Sequence, residues 1–162
     1  MTAQQKMQEL LDRSDIREVA RRYCRGVDRL DSELMKSAYW PEAVDEHGVF
    51  VGNAHEFVDH CMVSHRRWAS TLHCIFNHTI EIDSPSLTAI GEIYNVTYLF
   101  SEGESAGVDV WVGRYLDTYE KRGEEWRIIK RVCVHEGSQH LDGTPMGIDT
   151  SKFVQGDHDR NL

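Results

Sequence analysis

The chain contains no apolar run approaching the roughly 20 residues that a membrane-spanning helix needs. Its first residues, Met1 to Leu11, are polar and helical in character and lack the apolar stretch of a secretory signal. A cytoplasmic protein is expected. Basic residues are also in short supply, with 18 Lys and Arg against 27 Asp and Glu and a net charge of -9. Such a surface repels phosphate backbones and anionic headgroups, so neither nucleic acid nor a membrane is an expected partner. Cysteine is sparse. Cys24, Cys61, Cys74 and Cys133 show no CxxC spacing and are expected to be reduced packing residues. Internal repeats and low-complexity tracts are absent.

Histidine is plentiful, with nine copies, which raises the question of a metal. His55, His60 and His65 recur every five residues, and on a helix that interval turns each about 140° from the last. They share no ligand face, so solvated helix histidines are expected and no metal or other cofactor is invoked.

The 162 residues, 40% apolar and 28% charged, suit one domain around one core. Over residues 4–38, Leu10, Leu11, Ile16, Val19, Ala20, Tyr23, Val27, Leu30 and Leu34 fall mostly three and four apart, the mark of an amphipathic helix. One or two breaks are expected in it, with Ser14 or Asp15 as a second cap. Trp40-Pro41 stops the helical region. A short irregular or extended piece follows through Val51-Gly52, and Asn53 is placed to cap a helix over 54–68. From Thr71 the composition turns to Val, Ile, Thr, Tyr, Phe and Trp. Segments near 71–83, 87–101, 108–121 and 125–138 read as consecutive antiparallel strands. In the first of them Ile75 lies on one parity and Leu72, Phe76, Ile80 and Ile82 on the other or beyond a bulge. A sheet covered on one face and curled around a cavity fits that pattern. Residues 1–140 are expected to form the domain, and 141–162 a flap over the cavity, an interface arm or a disordered tail. The fold class is α+β, a bent sheet wrapping a helix and leaving a ligand-sized hollow.

Two residues draw notice as chemistry. Asp28, in Tyr23-Cys24-Arg25-Gly26-Val27-Asp28-Arg29, borders the apolar stripe of the first helix. A bend at Gly26 would turn it inward, while a solvated face of Asp28, Asp31, Arg25 and Arg29 is the competing reading. His73 stands near the start of the first long strand, where a lone histidine is usually a satisfied structural residue. Paired with a carboxylate it becomes a fixed-tautomer proton acceptor. Spacing alone does not bring the two together.

The run Tyr23 to Asp28, the segment Tyr39-Trp40-Pro41-Glu42-Ala43 leading to His47-Gly48, Leu72-His73 with Asn77, the strand Gly113 to Glu120 and Glu125-Trp126-Arg127-Ile128 together resemble the SnoaL-like branch of the nuclear-transport-factor-2-like superfamily. The resemblance spans about residues 10–140. It implies a cone-shaped, curved antiparallel sheet around a long bent N-terminal helix, with an apolar central cavity. By likeness to scytalone dehydratase, bile-acid 7α-dehydratase and hexachlorocyclohexane dehydrochlorinase, it implies an Asp28–His73 catalytic dyad. Tyr23 matches a pocket tyrosine of the bile-acid enzyme, and His135 stands where that enzyme carries a functional arginine. Trp40, Tyr115 and His135 complete the expected substrate contacts. The implied activity is that of a cofactor-independent lyase or isomerase acting on a small apolar molecule, such as a steroid-, polyketide- or aromatic-derived one, in a homodimer or homotrimer. A noncatalytic binding protein or a module like a dioxygenase β subunit is the alternative. A limonene-type epoxide hydrolase would need a water-holding set such as Asp28, Arg114 and Asp109. Arg114 is otherwise expected to pair with Asp117 or Glu120 on the outer sheet face, with a clamp on a carboxylate in the pocket as the alternative, and Tyr94, Tyr98, Trp111 and Tyr119 to pack in core or interface.

Overall fold

The computed structural model describes residues 1–103, 106–143 and 147–158. Helix α1, Ala3–Asp28, opens with a capping box in which Thr2 accepts from the Gln5 amide and Gln5 answers to the Thr2 amide. It runs unbroken past Ser14 and Asp15, both exposed mid-helix, so the second cap expected there does not form. Ile16, Val19, Ala20, Tyr23, Cys24 and Val27 bury one stripe. The helix ends where Leu30 takes a left-handed φ of 47° and the Asp31 amide returns to the Gly26 carbonyl at 2.8 Å. Asp31 then caps the short α2, Ser32–Lys36. Gly26 serves this reversal by close packing rather than by a bend, since a Cβ there would lie 2.6 Å from the Met35 backbone nitrogen.

The segment expected to be irregular or extended is a hairpin of β1, Tyr39–Glu46, and β2, Val51–Asn53. Pro41 is tolerated because it falls in the stretch between Tyr39 and Val44 where the β1 register against its neighbour shifts. Asn53 caps α3, Ala54–Ser64, through the His55 and Glu56 amides, and a single 3-10 turn, His65–Arg67, follows. The long strands are β3, Ser70–Asp83; β4, Thr88–Ser101; β5, Gly107–Arg122; and β6, Glu125–Asp142. The sheet order is β2-β1-β6-β5-β4-β3, antiparallel except where β1 runs parallel to β6. Register shifts in β3 between Ile75 and His78 and in β6 opposite Val112/Gly113 and Thr118/Tyr119 mark bulges, which add twist and curl the sheet over α1 without closing it.

Ile80, Ile93, Tyr119, Trp126 and Ile128 from the inner face pack with the α1 stripe as the core. Beyond β6 the chain returns to the C-terminus of α1. There Arg29 donates to the Asp157 carbonyl, and the His158 ring bridges the Asp28 and Trp68 carbonyls at 2.8 and 3.1 Å. The rest of the expected tail, residues 144–146 and 159–162, lies outside the described residues. No described helix is long and apolar enough to cross a membrane.

Candidate active site

Because α1 stops at Asp28, that carboxylate sits on the last helical turn facing the start of β3. Its Oδ1 accepts from the Thr71 hydroxyl at 2.8 Å and from His73 Nδ1 at 2.6 Å, and its Oδ2 accepts from the His73 amide at 2.9 Å. One carboxylate thus fixes both the backbone and the ring of the same histidine. Holding Nδ1 as the donor leaves Nε2 as the basic nitrogen of a ring that lines the cavity.

The cavity, about 540 Å³, lies between His47 just past β1, the 3-10 turn and the inner sheet face. Leu99, Val110 and Trp111 give it apolar walls, while His47, His65, His73, Thr97, Tyr115 and Cys133 supply polar atoms. Arg67, Trp68, Asp109 and His140 also line it. Arg67 stacks on the Trp68 ring at 3.9 Å and Asp109 pairs with His140 at 2.7 Å. Burial pushes the Cys133 thiol up to about 12, so it stays protonated and is a poor nucleophile.

Two residues of this chamber escape a sequence reading. His65 is not a solvated helix histidine. α3 ends at Ser64, so His65 starts the 3-10 turn and stacks on His73 at 6.1 Å. Burial, with His73 and Arg67 adding to it, brings its pKa down to about 4 and keeps the ring neutral. His47, just past β1, hydrogen-bonds through Nδ1 to the fully buried Asp45 and stacks on Phe57 at 4.3 Å. The spacing Asp45-x-His47 was the available signal, since residues two apart on an extended chain share a face.

Of the other expected contacts, Tyr115 lines the cavity, with its hydroxyl taking the Asn95 amide. Tyr23 lies behind the lining, its hydroxyl 3.5 Å from His47 Nε2. The Tyr23 and Tyr115 rings sandwich the Arg131 guanidinium at 4.2 and 4.1 Å, and Arg131 is itself paired twice with Asp117 at 2.7 Å in full burial. Burial drives both phenols well above the ordinary tyrosine range, so they remain neutral.

Trp40 and His135 are corrected. The Trp40 indole donates to the Glu120 carbonyl at 3.0 Å between Arg122 and Arg127, away from the cavity. His135 is exposed and absent from the cavity lining, with its ring 5.9 Å from that of Trp111. Arg114 pairs with Glu92 and Glu136, each at 2.6 Å, instead of Asp117 or Glu120. On that outer face it cannot join Asp28 and Asp109 in a water-holding set. Among the described residues no group of three or more His, Cys, Asp and Glu is arranged to hold a metal ion.

No curated protein matches the sequence. Among solved structures, a hexachlorocyclohexane dehydrochlorinase, LinA type 2, superposes with a TM-score of 0.76 at 20% identity, over 88% of this chain and 99% of its own. A scytalone dehydratase-like protein from Novosphingobium aromaticivorans gives 0.71 at 15%, over 86% and 96%. A protein of unknown function from Mycobacterium tuberculosis gives 0.69 at 19%, over 80% and 74%. At these identities the likeness is one of fold. The sequence itself matches the SnoaL-like domain over residues 8–132, and the chain belongs to that family.

Proposed function

We propose that the protein is a cofactor-independent lyase or isomerase in which His73 removes a proton from a carbon acid bound in the cavity. The observation that carries this reading is the Asp28–His73 contact at 2.6 Å on the edge of a ligand-sized hollow. In it His73 Nε2 takes a proton from a carbon next to a carbonyl, and Asp28 orients the ring and stabilises the imidazolium. Tyr115 and the neutral His65 offer hydrogen bonds to the oxygen on which charge gathers. The apolar walls favour a small, largely apolar substrate. The names of two fold neighbours, a dehydrochlorinase and a scytalone dehydratase-like protein, agree with elimination chemistry. The test is enone formation from β-chloropropiophenone, a ketone with an acidic α-carbon and a ready leaving group. Asp28→Asn and His73→Ala each lower the rate by about 10²-fold or more with unchanged circular dichroism, and a wild-type rate in either variant refutes the assignment.

Self-association belongs to the same proposal. Leu72, Phe76, Tyr94, Val112 and Leu116 are exposed on the outer side of the sheet, a surface suited to a second or third copy of the chain. Light scattering after size exclusion should give a mass of two or three chains, and Tyr94→Glu with Leu116→Glu should return the monomer. A wild type that runs as a monomer at micromolar concentration refutes it.

A further inference from the structure

The wall of the cavity changes character with depth. The His73 side chain, Thr97 and Tyr115 are buried, whereas Arg67 is exposed and the Asp109 and His140 side chains are half exposed. The imidazole assigned as base thus stands deep, and the charged residues stand at the rim. That rim is unusual on this chain. The net charge is -9, yet among the described residues Asp109 is the one acidic side chain in the cavity wall. His140 Nδ1 meets it at 2.7 Å and, with smaller help from Trp68 and Arg67, holds its carboxyl below the ordinary value.

Asp109 therefore has a partner, and Arg67 is left over. Among the described residues no hydrogen bond or ion pair takes the Arg67 N–H groups, and its close contact is with the Trp68 ring at 3.9 Å. Stacking through the face steadies the guanidinium and leaves its N–H edge open, the edge that grips a carboxylate by two parallel hydrogen bonds. The neighbouring Arg66 differs. Its Nε donates back to the Met62 carbonyl at 3.1 Å, and it takes no part in the cavity wall. The charge of Arg67 also reaches inward, since after burial and His73 it helps to keep the His65 ring neutral.

We propose that the substrate is a carboxylic acid with an apolar body, and that Arg67 binds its carboxylate at the rim while the acidic carbon lies against His73. This rests on the reading of His73 as the base and adds the class of molecule. Leu99, Val110 and Trp111 take the apolar body, but a charge carried down among them would lack partners. At the rim the charge meets both water and a guanidinium. One such fork suits a planar, singly charged carboxylate better than a phosphate dianion. Elsewhere the acidic surface repels an anion, so Arg67 also marks where one can approach.

Binding tests this without turnover. Isothermal titration calorimetry compares 3- and 4-propionylbenzoate with propiophenone, the same ketone without the carboxylate, in the wild-type chain, Arg67→Gln and Arg67→Lys. One of the benzoates should bind the wild type about tenfold or more tightly than propiophenone. Arg67→Gln should bring that ratio to about one, Arg67→Lys should recover part of it, and added salt should shrink it. A wild type that binds propiophenone as tightly as both benzoates, or more tightly, overturns the substrate class. A ratio that survives Arg67→Gln overturns the role of Arg67, and so does an equal loss for benzoates and propiophenone, which makes the residue structural. Should Arg67→Gln fail to fold, a ratio unchanged in Arg67→Lys at every salt concentration overturns it instead. Failure of the base assignment is separate, because it shows as wild-type turnover of β-chloropropiophenone in Asp28→Asn and His73→Ala and leaves these affinities as they are.

Discussion

Helix α1 carries two buried carboxylates, Asp12 near its start and Asp28 at its end, each 8% exposed. By burial they are the same residue, and by surroundings they are opposites. Asp12 collects the Trp126 indole N–H at 2.9 Å, the Lys121 ammonium at 2.9 Å and the Gln8 amide at 3.3 Å. Burial alone would raise its pKa, but the bonds from Trp126, Lys121 and Gln8 outweigh that and carry it below the ordinary value. All its donors belong to groups with no further chemistry, so the network closes on itself. Asp28 spends its oxygens on Thr71 and His73, and His73 has a second nitrogen left for the cavity. A buried carboxylate is structural when its partners are used up. It becomes a candidate for catalysis when a partner can pass a proton onward.

Asp28 and Asp12 part most widely on activity. Asp28→Asn should cost about 10²–10⁴-fold in turnover of the chloro ketone, while Asp12→Asn, far along the same helix, should leave turnover within about threefold and reveal itself in stability. Steady-state kinetics on both variants decide it. Comparable losses would mean that Asp28 acts through the fold.

Stability reverses the ranking. Asp12→Ala leaves the Lys121 ammonium, whose side chain is only 9% exposed, with Glu124 at 3.8 Å as its remaining carboxylate. The expected loss is about 3 kcal/mol, in the range for a buried pair deprived of one partner, read from urea unfolding. The effect of His73→Ala on the same scale should stay near 1 kcal/mol.

How far the sequence reveals these two places follows from the range of the interactions. Strands β3 to β6 are legible within a residue or a few, because β-rich composition and turn residues are local signals. The β1–β2 hairpin is not, since Pro41 masks a strand whose ladder skips that stretch. The unbroken helix is misjudged at Ser14 and Asp15, where residues suited to a cap sit harmlessly on an exposed face. At the site, Asp28 is legible as an oddly placed carboxylate, but its meeting with His73 comes from family likeness. His65 is misread because the 140° argument holds only inside a helix, and α3 ends one residue earlier. Trp40, expected in the pocket, is claimed by two arginines that lie far from it in sequence.

Gly26 sharpens the comparison at the Asp28 end by a smaller amount. An alanine there gains helix propensity of about 1 kcal/mol, yet its Cβ would meet the Met35 backbone nitrogen and Cα at 2.6 and 2.7 Å. Backbone cannot step aside as a flexible side chain can, so overpacking of about 1–3 kcal/mol wins and α2 is pushed off α1. Gly26→Ala should therefore lower the thermal midpoint and, unlike Asp12→Ala, also lower turnover, because Asp28 lies two residues on in the same last turn of α1. A variant of unchanged stability would show that α2 moves freely.

The smallest effect separates the ends by pH. Burial brings His65, in the cavity, and His78, under Tyr119, from 6.5 down to about 4. Each is neutral when folded and charges more readily when unfolded, so the unfolded state binds the extra proton between these values. Stability from both is complete above 6.5 and drains as pH falls towards about 4, by at most about 1.4 kcal/mol per pH unit each. Asp12 moves in a lower window, because its folded pKa lies below 3.8; its contribution persists through the histidine range and is lost only in stronger acid. His65→Gln and His78→Gln should each flatten the upper slope of a stability–pH curve, and Asp12→Asn only the lower. A ligand in the cavity distinguishes the two histidines further. Propiophenone in the cavity lies against His65 and away from His78, so by lowering the His65 pKa further it should carry the upper window to lower pH in His78→Gln by more than in His65→Gln.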